Sequence, residues 1–401
     1  MKFVIYRGER MSKKKFDFSK LKNLGSMDVK DIVKLFKKNK DSVSFEKPIK
    51  KKVKEKARLV LSIEFGSHCI KLVEGKFQKG KLYINKAFQA PTPEGTISDG
   101  KILNKELVVD TLRFLINQNN IKAKDVIFTT NSSSIINRDI VIPKVKLDEM
   151  ETVIRYEIQQ YLPINLEEYI LQFIVLDEIN DGKDEKLKVS VTSFPQRVAA
   201  EYYNVINDLD LNPYVLDVEY NSINKLVDYC GFLEEQEDRQ GSIAFIDMGA
   251  AYISVTIFKN KKLDFTRMIK VGGDDIDYAL SQRLNVSIKS AETIKIRDVE
   301  LLDSENVNEN APIIKDIINQ ILDELDRILR FYNNKSDIKV SNIFIYGGIA
   351  KIKGINKYME ERFNIPVEKI EYFKNIEYTS QENIDDNISQ YLNAIGAIIR
   401  L

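Results

Sequence analysis

Cysteine, histidine and tryptophan are scarce in this chain of 401 residues, which has two cysteines, one histidine and no tryptophan. Cys69 and Cys230 lie far apart, so a disulfide framework, a structural zinc site and a histidine-dependent triad have too few residues to form. No run approaches the roughly 18 consecutive apolar residues of a membrane-spanning helix, and the first residues lack the apolar core of a signal peptide. We therefore expect a protein that stays in the cytoplasm, and we exclude most zinc and acyl-transfer chemistry.

Charge is divided unevenly along the chain. Residues 1–57 contain 19 lysines and arginines against seven acidic residues, a net charge of +12, whereas the whole chain carries +1. The acidic remainder argues against a nucleic-acid-binding core, since contacts to phosphate supply most of that affinity. The length predicts two or more domains, and the 43% hydrophobic content excludes wholesale disorder.

The basic arm of residues 1–57 is predicted to be mostly disordered, apart from one segment. In DVKDIVKLFKKNK the apolar positions fall on one face of a helix, which predicts a short basic amphipathic helix. These positions are Val29, Ile32, Val33 and Phe36. Such a helix suits an anionic membrane surface or a partner protein. A solvated tail with a chance pattern is the alternative.

After the arm, the sequence predicts a meander of strands. RLVLSIEF and HCIKLVEGK are joined by a Gly-Ser turn, so Glu64 closes one strand and Lys71 begins the next. In a nucleotide site, Gly66 would let the backbone approach a phosphate, and the amides of Ser67 and His68 would donate to it. Lys71 would supply positive charge. An ordinary β-hairpin is the alternative.

The same pattern returns in the second half of the chain. IAFIDMGAAYISVTIFKNKKLDFTRMI is again strand, turn, strand, turn, strand, with Asp247 closing the first strand before a turn of small residues. A repeat of this kind suits two hairpins that face one nucleotide across a cleft. Gly272 and Gly273 then open a helix. Gly347 and Gly348 follow a buried strand, where the backbone can lie against a base or a phosphate.

These units, in this order and with the helix AETIK between them, resemble the actin, Hsp70 and hexokinase ATPase superfamily. Within it the chain most resembles the PilM family, the cytoplasmic actin-like proteins of type IV pilus assembly. The resemblance runs from residue 58 to residue 401. The segments that carry it are PTPEGTISDG at 91–100, RDIVIP at 138–143, EIQQYLPI at 157–164, LDELDRILRFY at 322–332 and NAIGAIIR at 393–400.

The resemblance implies an α/β, actin-like (ribonuclease H-like) fold of two lobes, with an inserted subdomain in the first lobe. The first lobe would span 58–240, with the insert at about 132–187. The second lobe would span 241–401, with an outer subdomain at about 276–335.

The insert contains a predicted helix, LDEMETVIRYEIQQYL, whose apolar stripe should face a core and which Pro163 should end. The stripe comprises Leu147, Met150, Ile154, Ile158 and either Tyr161 or Leu162. Tyr156, Gln159 and Gln160 fall off this stripe and are the candidates for binding a partner peptide.

ATP and Mg²⁺ are the cofactors that the resemblance implies. Glu64, which replaces the aspartate usual at its position, and Asp247 would hold Mg²⁺ through water. Both are also candidate catalytic residues, as is Gln196 at a helix start, and the side chain of His68 is expected to be incidental. The residues expected to contact ATP are Gly66, Ser67, His68, Lys71, Asp247, Gly249, Ala250, Ala251, Gly272, Gly273, Glu292, Lys295, Gly347, Gly348 and Ile349.

One acidic pair is left with an open role. Asp217 and Glu219, in YVLDVEYNS, resemble the pair that precedes a helix in the family. Glu219 could reach the cleft, and a cap or a salt bridge is an equally good reading.

The resemblance thus implies a membrane-peripheral scaffold for pilus biogenesis and twitching motility. It would bind ATP, hydrolyse it slowly at most, and hold the amino-terminal peptide of a PilN-like inner-membrane protein. Pilus motor or platform proteins, a membrane surface touched by the arm, and self-association are further expected contacts, whereas nucleic acid is not. Two alternatives stay open: an FtsA-like filament-forming division protein, and a small-molecule kinase of the same superfamily, for which we find no convincing acceptor motif.

Overall fold

The chain divides into two compact units, which we call the body and the insert. The body comprises Ala57–Ser133 and Glu201–Leu401, and the insert comprises Ser134–Ala200. The predicted amphipathic helix of the arm lies outside the described residues. The computed structural model describes residues 2–3, 57–161, 165–180, 184–233, 241–297, 300–301, 311–370, 373–379 and 388–400.

The described residues contain runs of strands separated by helices. The strands are β1 (Lys2–Phe3), β2 (Leu59–Phe65), β3 (Cys69–Gln78), β4 (Lys81–Pro91), β5 (Ile97–Ser98), β6 (Lys101–Ile102), β7 (Asp125–Thr130), β8 (Ile136–Pro143), β9 (Tyr169–Asn180), β10 (Glu185–Pro195), β11 (Asn212–Val218), β12 (Ser242–Met248), β13 (Ile253–Lys259), β14 (Lys262–Ile269), β15 (Val340–Tyr346), β16 (Val367–Lys369) and β17 (Ile376–Tyr378). The helices are α1 (Lys105–Gln118), α2 (Leu147–Tyr161), α3 (Gln196–Asp208), α4 (Glu219–Tyr229), α5 (Gly273–Leu284), α6 (Ile288–Arg297), α7 (Ala311–Lys335), α8 (Ile355–Phe363) and α9 (Leu392–Ile398). Short 3₁₀ helices cover Leu166–Glu168, Ile349–Lys351 and Ile388–Tyr391.

The first sheet of the body is built around β2, which is buried along almost its whole length. A strand covered on both faces reads as a continuous apolar run, and LVLSIEF is such a run apart from Ser62 and Glu64. β2 pairs in parallel with β7 and antiparallel with β3. Among the described residues, seven strands lie in this sheet in the order β1-β11-β7-β2-β3-β4-β17.

The second sheet of the body repeats this arrangement around β12. β12 pairs antiparallel with β13 and in parallel with β15, in the order β14-β13-β12-β15-β16. The long helix α7 contributes Ile314, Ile318 and Leu325 to a core that also contains Ile246 and Ile343. Both sheets thus contain the same unit: a buried strand, a tight turn at its carboxyl end and an antiparallel return strand.

The insert is a three-stranded antiparallel sheet, β8-β10-β9, with a core of its own. Helix α2 contributes Met150, Val153, Ile154 and Ile158 to that core, as its apolar spacing predicts. The strand residues opposite them include Ile142 and Val189.

Of the two alternatives predicted for the end of the apolar stripe of α2, Tyr161 does not join the core. The Tyr161 side chain is exposed, and its hydroxyl lies 3.0 Å from Glu157 Oε1. The guanidinium of Arg138 lies 4.9 Å from the centre of its ring. A tyrosine at the last turn can keep its polar tip in water and still cover a cation, so it need not join the core. The alternative, Leu162, and the predicted stop at Pro163 lie outside the described residues.

Membrane-spanning helices are absent from the part of the chain that the structure describes. None of its helices is both long enough and apolar enough to cross a bilayer.

Candidate functional site

A cavity of about 280 Å³ opens in the body, where the two strand-turn-strand units meet. Its wall includes the turns after β2 and β12, the start of α5, the end of α6 and the segment after β15. The predicted residues that line it are Glu64, Gly66, Ser67, His68, Lys71, Asp247, Gly249, Ala250, Ala251, Gly273, Glu292, Lys295, Gly347, Gly348 and Ile349. Fragments distant in sequence therefore converge on one concave surface.

The first hairpin, β2-β3, carries an ion pair between its own strands. Glu64 and Lys71 are cross-strand partners, and Lys71 Nζ lies 2.5 Å from Glu64 Oε1. Burial lowers the pKa of Lys71, but the charges of Glu64 and Asp247 outweigh it and raise that pKa above its ordinary value. The other carboxylate oxygen, Glu64 Oε2, is buried and has no hydrogen-bond partner among the described residues. A buried oxygen of this kind favours a ligand or a hydrated ion at this end of the cavity.

The turn of this hairpin requires a residue without a side chain at its first position. The amide of Gly66 donates to the carbonyl of Cys69, and a Cβ on Gly66 would lie 2.6 Å from that carbonyl oxygen. The close approach leaves the backbone of the turn bare toward the cavity, as a phosphate cradle needs.

The second hairpin, β12-β13, has the same turn and different charges. The amide of Gly249 donates to the carbonyl of Tyr252, and a Cβ on Gly249 would lie 2.7 Å from that oxygen. Asp247 faces Ser254 across the strands, so this hairpin supplies no cation of its own. Instead, Asn393 of α9 donates to Asp247 Oδ2 over 2.8 Å. Burial and the nearby Glu64 charge raise the pKa of Asp247 to about 6, although Lys71 acts in the opposite direction.

The glycine pair Gly272 and Gly273 packs against the second hairpin. The amides of Gly273 and Asp274 donate to the carbonyls of Gly249 and Ala250, and a Cβ on Gly272 would lie 2.0 Å from the Ala250 oxygen. Gly272 is predicted to contact ATP, but it is not among the residues that line the cavity. Its lack of a side chain lets α5 begin against the turn.

Gly347 has a backbone conformation that few other residues adopt. Its φ is +93°, and a Cβ there would lie 2.6 Å from Asp247 Oδ1. A Cβ on Gly348 would meet no atom within 4 Å. Gly347 therefore allows β15 to approach Asp247, and Gly348 leaves open space in the cavity wall.

Helices α5 and α6 form a wall rich in charge. Lys295 Nζ lies 2.6 Å from Asp277 Oδ2 in a buried ion pair, and it also donates to the carbonyl of Gly273. Asp277 Oδ1 is buried without a hydrogen-bond partner among the described residues, and burial raises the pKa of this carboxyl. Sequence analysis missed Asp277; the signal for it is its place on the inner face of α5, four residues after Gly273.

The side chain of His68 makes a specific contact, contrary to the expectation from sequence. Its Nε2 lies 3.0 Å from Glu292 Oε1 on α6, so the first turn reaches across the mouth of the cavity. A hydrogen bond with the side chain of Cys69, together with the charges of Glu292 and Asp274, raises the pKa of His68 to about 9. These contacts therefore favour the charged form of the imidazole.

The acidic pair after β11 has two different environments. Asp217 is buried and pairs with Lys225 Nζ over 2.6 Å, which is a structural contact. Glu219 lines the cavity. Burial and the charges of Asp247 and Glu64 raise the pKa of Glu219 well above its ordinary value.

The charge balance of the cavity fits a bound divalent cation. The charges of Glu64, Asp247 and Glu219 all act on Lys71, and two of these three carboxyls have raised pKa values. Carboxylates that hold Mg²⁺ usually do so partly through water. No cluster of three or more His, Cys, Asp or Glu side chains within the described ranges could hold a metal directly.

The other predicted residues belong to the insert. Gln196 is exposed at the start of α3, and its Nε2 donates to the carbonyl of Glu167 over 2.8 Å. On α2, Tyr156 is half-buried, whereas Gln159 and Gln160 are exposed.

Known proteins resemble this chain in structure and in sequence. The solved structure of a "PilM-PilN type IV pilus biogenesis complex" superposes with a TM-score of 0.72 at 22% identity, over 85% of this chain and 99% of that one. FtsA of Neisseria meningitidis serogroup B is 22% identical over 181 residues, which are 36% of this chain and 44% of that relative. FtsA of Streptococcus pneumoniae serotype 2 is 28% identical over 175 residues, 38% of this chain and 37% of that one. The chain thus spans less than half of the length of these curated relatives.

The likeness in structure confirms the predicted actin-like α/β fold. The family profile described as "Type IV pilus assembly protein PilM" matches residues 62–401, which is most of the chain. The chain belongs to the PilM family of type IV pilus assembly proteins.

Proposed function

We propose that this protein is a scaffold of the type IV pilus assembly machine that binds ATP with Mg²⁺ in the cavity of the body. The observation that supports the proposal is the convergence of two equivalent hairpins and the Gly347 turn on one cavity with unbalanced carboxylates. Bare turn amides suit phosphate oxygens, and a lysine between them suits their charge.

Each part of the nucleotide has a candidate set of residues. The turns that begin at Gly66 and Gly249 would donate amides to the phosphates, with Lys71 as the cation. Glu64 and Asp247 would hold hydrated Mg²⁺, which supplies charge neutralisation to the phosphates when it is bound. The nucleoside would lie against Glu292, Lys295 and the segment Gly347, Gly348 and Ile349.

A thermal melt with and without ATP and Mg²⁺ tests the nucleotide site. A ligand at a hundredfold excess over Kd adds about 2.7 kcal/mol to the apparent stability, because it binds only the folded state. We expect Asp247→Asn to lose this increase in Tm. Tyr278→Phe, an exposed position on α5, is the control that should keep it. An unchanged increase in Asp247→Asn would contradict the site.

Hydrolysis should be slow in this proposal. Gln196, the candidate for orienting an attacking water, instead donates to the carbonyl of Glu167 and is not among the residues that line the cavity. Steady-state phosphate release measures the rate of ATP hydrolysis. Turnover of about 1–100 s⁻¹ with a small-molecule acceptor would favour the kinase alternative.

We also propose that the insert holds an extended amino-terminal peptide of a PilN-like protein at the cytoplasmic membrane. Strand β9 lies at one edge of the order β8-β10-β9, and within the described ranges no further strand pairs with its outer edge. Exposed apolar side chains on this sheet include Val141, Val175 and Ile179, which could meet a peptide.

Fluorescence anisotropy with the labelled peptide tests the insert. Tyr156→Ala with Gln160→Ala should weaken binding by roughly fivefold or more per anchoring contact while the ATP-dependent increase in Tm persists. The double variant Glu149→Ala and Asp148→Ala, at the opposite end of α2, is the control. Loss of both peptide binding and the ATP-dependent increase in Tm would indicate a folding defect. If neither is lost, this surface is not the peptide site.

A further inference from the structure

Two buried amide side chains lie at the start of helix α9. Gln390, in the 3₁₀ helix before it, is 8% exposed, and Asn393 is 2% exposed. The other residues of the helix, whose sequence is LNAIGAI, are apolar and buried. A buried amide costs free energy unless its donor and acceptor groups are bonded, so each of these atoms should have a partner.

The two amides connect to the two hairpins of the cavity. Asn393 donates to Asp247 Oδ2 in the second hairpin. Gln390 Oε1 accepts a hydrogen bond of 3.1 Å from Gln89 Nε2, and Gln89 is the cross-strand neighbour of Lys71 in the first hairpin. Gln390 and Asn393 are three residues apart, which places them on the same side of a helical segment. Together they form a polar surface between the two hairpins.

One donor on this surface has no partner within the described residues. Gln390 Nε2 is buried and makes no hydrogen bond there, and Gln390 lines the cavity. The unpartnered oxygen Glu64 Oε2, on the wall of the same cavity, is an acceptor and suits a hydrated cation. An amide N–H is a donor and suits an anionic oxygen instead. The cavity thus offers a phosphate one donor more than the turn amides and Lys71.

We propose that Gln390 donates to the terminal phosphate of the nucleotide, so that this residue favours a nucleoside triphosphate over a diphosphate. This role rests on the proposed nucleotide site and adds the group that distinguishes one phosphate state from the other.

The elements around the cavity support the choice of the terminal phosphate. The nucleoside is assigned to the wall formed by α5 and α6, and residues of both helices belong to the core of the second sheet. Helix α9 packs instead on β2, β3 and β7 of the first sheet. Gln390 therefore approaches the cavity from the side opposite the nucleoside, where the last phosphate of the chain would lie.

Calorimetric titration with a non-hydrolysable ATP analogue and with ADP, each with Mg²⁺, tests the role of Gln390. Gln390→Met keeps the length of the side chain and removes the donor. It should weaken binding of the analogue by roughly tenfold, because a hydrogen bond to a charged oxygen is lost. Binding of ADP should change less than twofold.

Gln89→Met is the matched control. It breaks the same hydrogen bond between the two glutamines but leaves Gln390 Nε2 in place. The ratio of the two affinities should therefore stay that of the wild type. An equal change of this ratio in Gln89→Met and Gln390→Met would assign the effect to the bond between the glutamines and overturn the proposal.

A second variant covers a structural role of Gln390. If Gln390→Met lowers the Tm of the ligand-free protein, Gln390→Glu provides the same comparison, since it keeps an oxygen that can accept from Gln89. Its carboxylate should weaken the analogue by more than tenfold, because like charges repel. If the wild type binds both nucleotides and Gln390→Glu weakens both equally or neither, the nucleotide site stands and the role of Gln390 is wrong. A wild type that binds neither nucleotide would overturn both proposals.

Discussion

The two hairpins that face the cavity have the same backbone conformation in their turns but carry different side chains at equivalent positions. Gly66 and Gly249 make the same turn, each with its amide bonded to a carbonyl three residues later. At the position of Lys71 in the first hairpin, the second has Ser254. The first hairpin thus balances its own carboxylate, and the second depends on Asn393 from a distant helix.

This difference shows how a duplicated unit can serve one ligand asymmetrically. The backbone, which both copies keep, supplies amides to a phosphate at either turn. The side chains of the two hairpins differ in charge. Glu64 lies next to Lys71 of its own hairpin, whereas Asp247 has no cation in its own hairpin. Substitutions at Lys71, Gly347 and His68 each test one part of this difference.

The largest effect should come from Lys71→Met. It leaves Glu64 buried without its cation, which should lower the free energy of unfolding by roughly 3–5 kcal/mol. Adding Glu64→Gln should recover part of that loss, because Glu64 then carries no charge, whereas Asp247 and Glu219, which Lys71 also offsets, are unchanged. Urea denaturation of the two variants measures this.

The equivalent change in the second hairpin is the control. Ser254→Ala removes only a hydrogen bond from Asn131 and should cost about 1 kcal/mol. Equal losses in Lys71→Met and Ser254→Ala would mean that the two hairpins do not differ in the way described. Neither Lys71→Met nor its double variant should keep the ATP-dependent increase in Tm.

A smaller effect is expected where β15 meets the second hairpin. Gly347→Ala would place a Cβ 2.6 Å from Asp247 Oδ1 at a φ of +93°, so the variant should lose about 1–3 kcal/mol of stability. Gly348→Ala meets open space and should leave the stability of the ligand-free protein unchanged while weakening ATP binding. Thermal melts of both variants, each with and without ATP, separate the two roles. Equal stability of the two ligand-free variants would contradict this account of Gly347.

Local patterns in the sequence predicted the hairpins, because strand alternation and tight turns depend on neighbouring residues, whereas the resemblance to a family implied the fold. They could not predict which distant residues complete the site. Asn393 is 146 positions from Asp247 in sequence, and the residues beside either one give no indication that the two are in contact. The same holds for His68, whose partner Glu292 comes from another helix.

The roles of some predicted residues also depend on packing rather than on residue type. Gly272 and Gly273 look equivalent in sequence, yet only Gly273 lines the cavity, because α5 begins with Gly272 held against the turn of the second hairpin. On the insert, an apolar period alone could not show that Tyr161 keeps its hydroxyl in water. Both outcomes follow from neighbours that the chain brings together only on folding.

The smallest effect concerns the turn of the first hairpin, where His68 stands at the position of Ala251. A hydrogen bond with Cys69 and the charges of Glu292 and Asp274 raise the pKa of His68 from 6.5 to about 9. A histidine whose pKa is raised on folding stabilises the protein fully below its unfolded pKa, and this contribution is lost as the pH rises from about 6.5 to 9. We expect the wild type to lose stability relative to His68→Gln over this range, by no more than about 1 kcal/mol because the pair is exposed.

Measuring Tm against pH for both proteins isolates this effect, since His68 is the one histidine of the chain. Lys225 also titrates in the range, because burial lowers its pKa to about 8 despite the charge of Asp217. Its depressed pKa makes stability rise with pH, the opposite sign, and it is present in both proteins, so it cancels in the difference. Glu292→Gln should reduce the same pH dependence, since it removes one of the charges that raise the pKa of His68. A difference between wild type and His68→Gln that does not change with pH would show that the first turn makes no charged contact with α6.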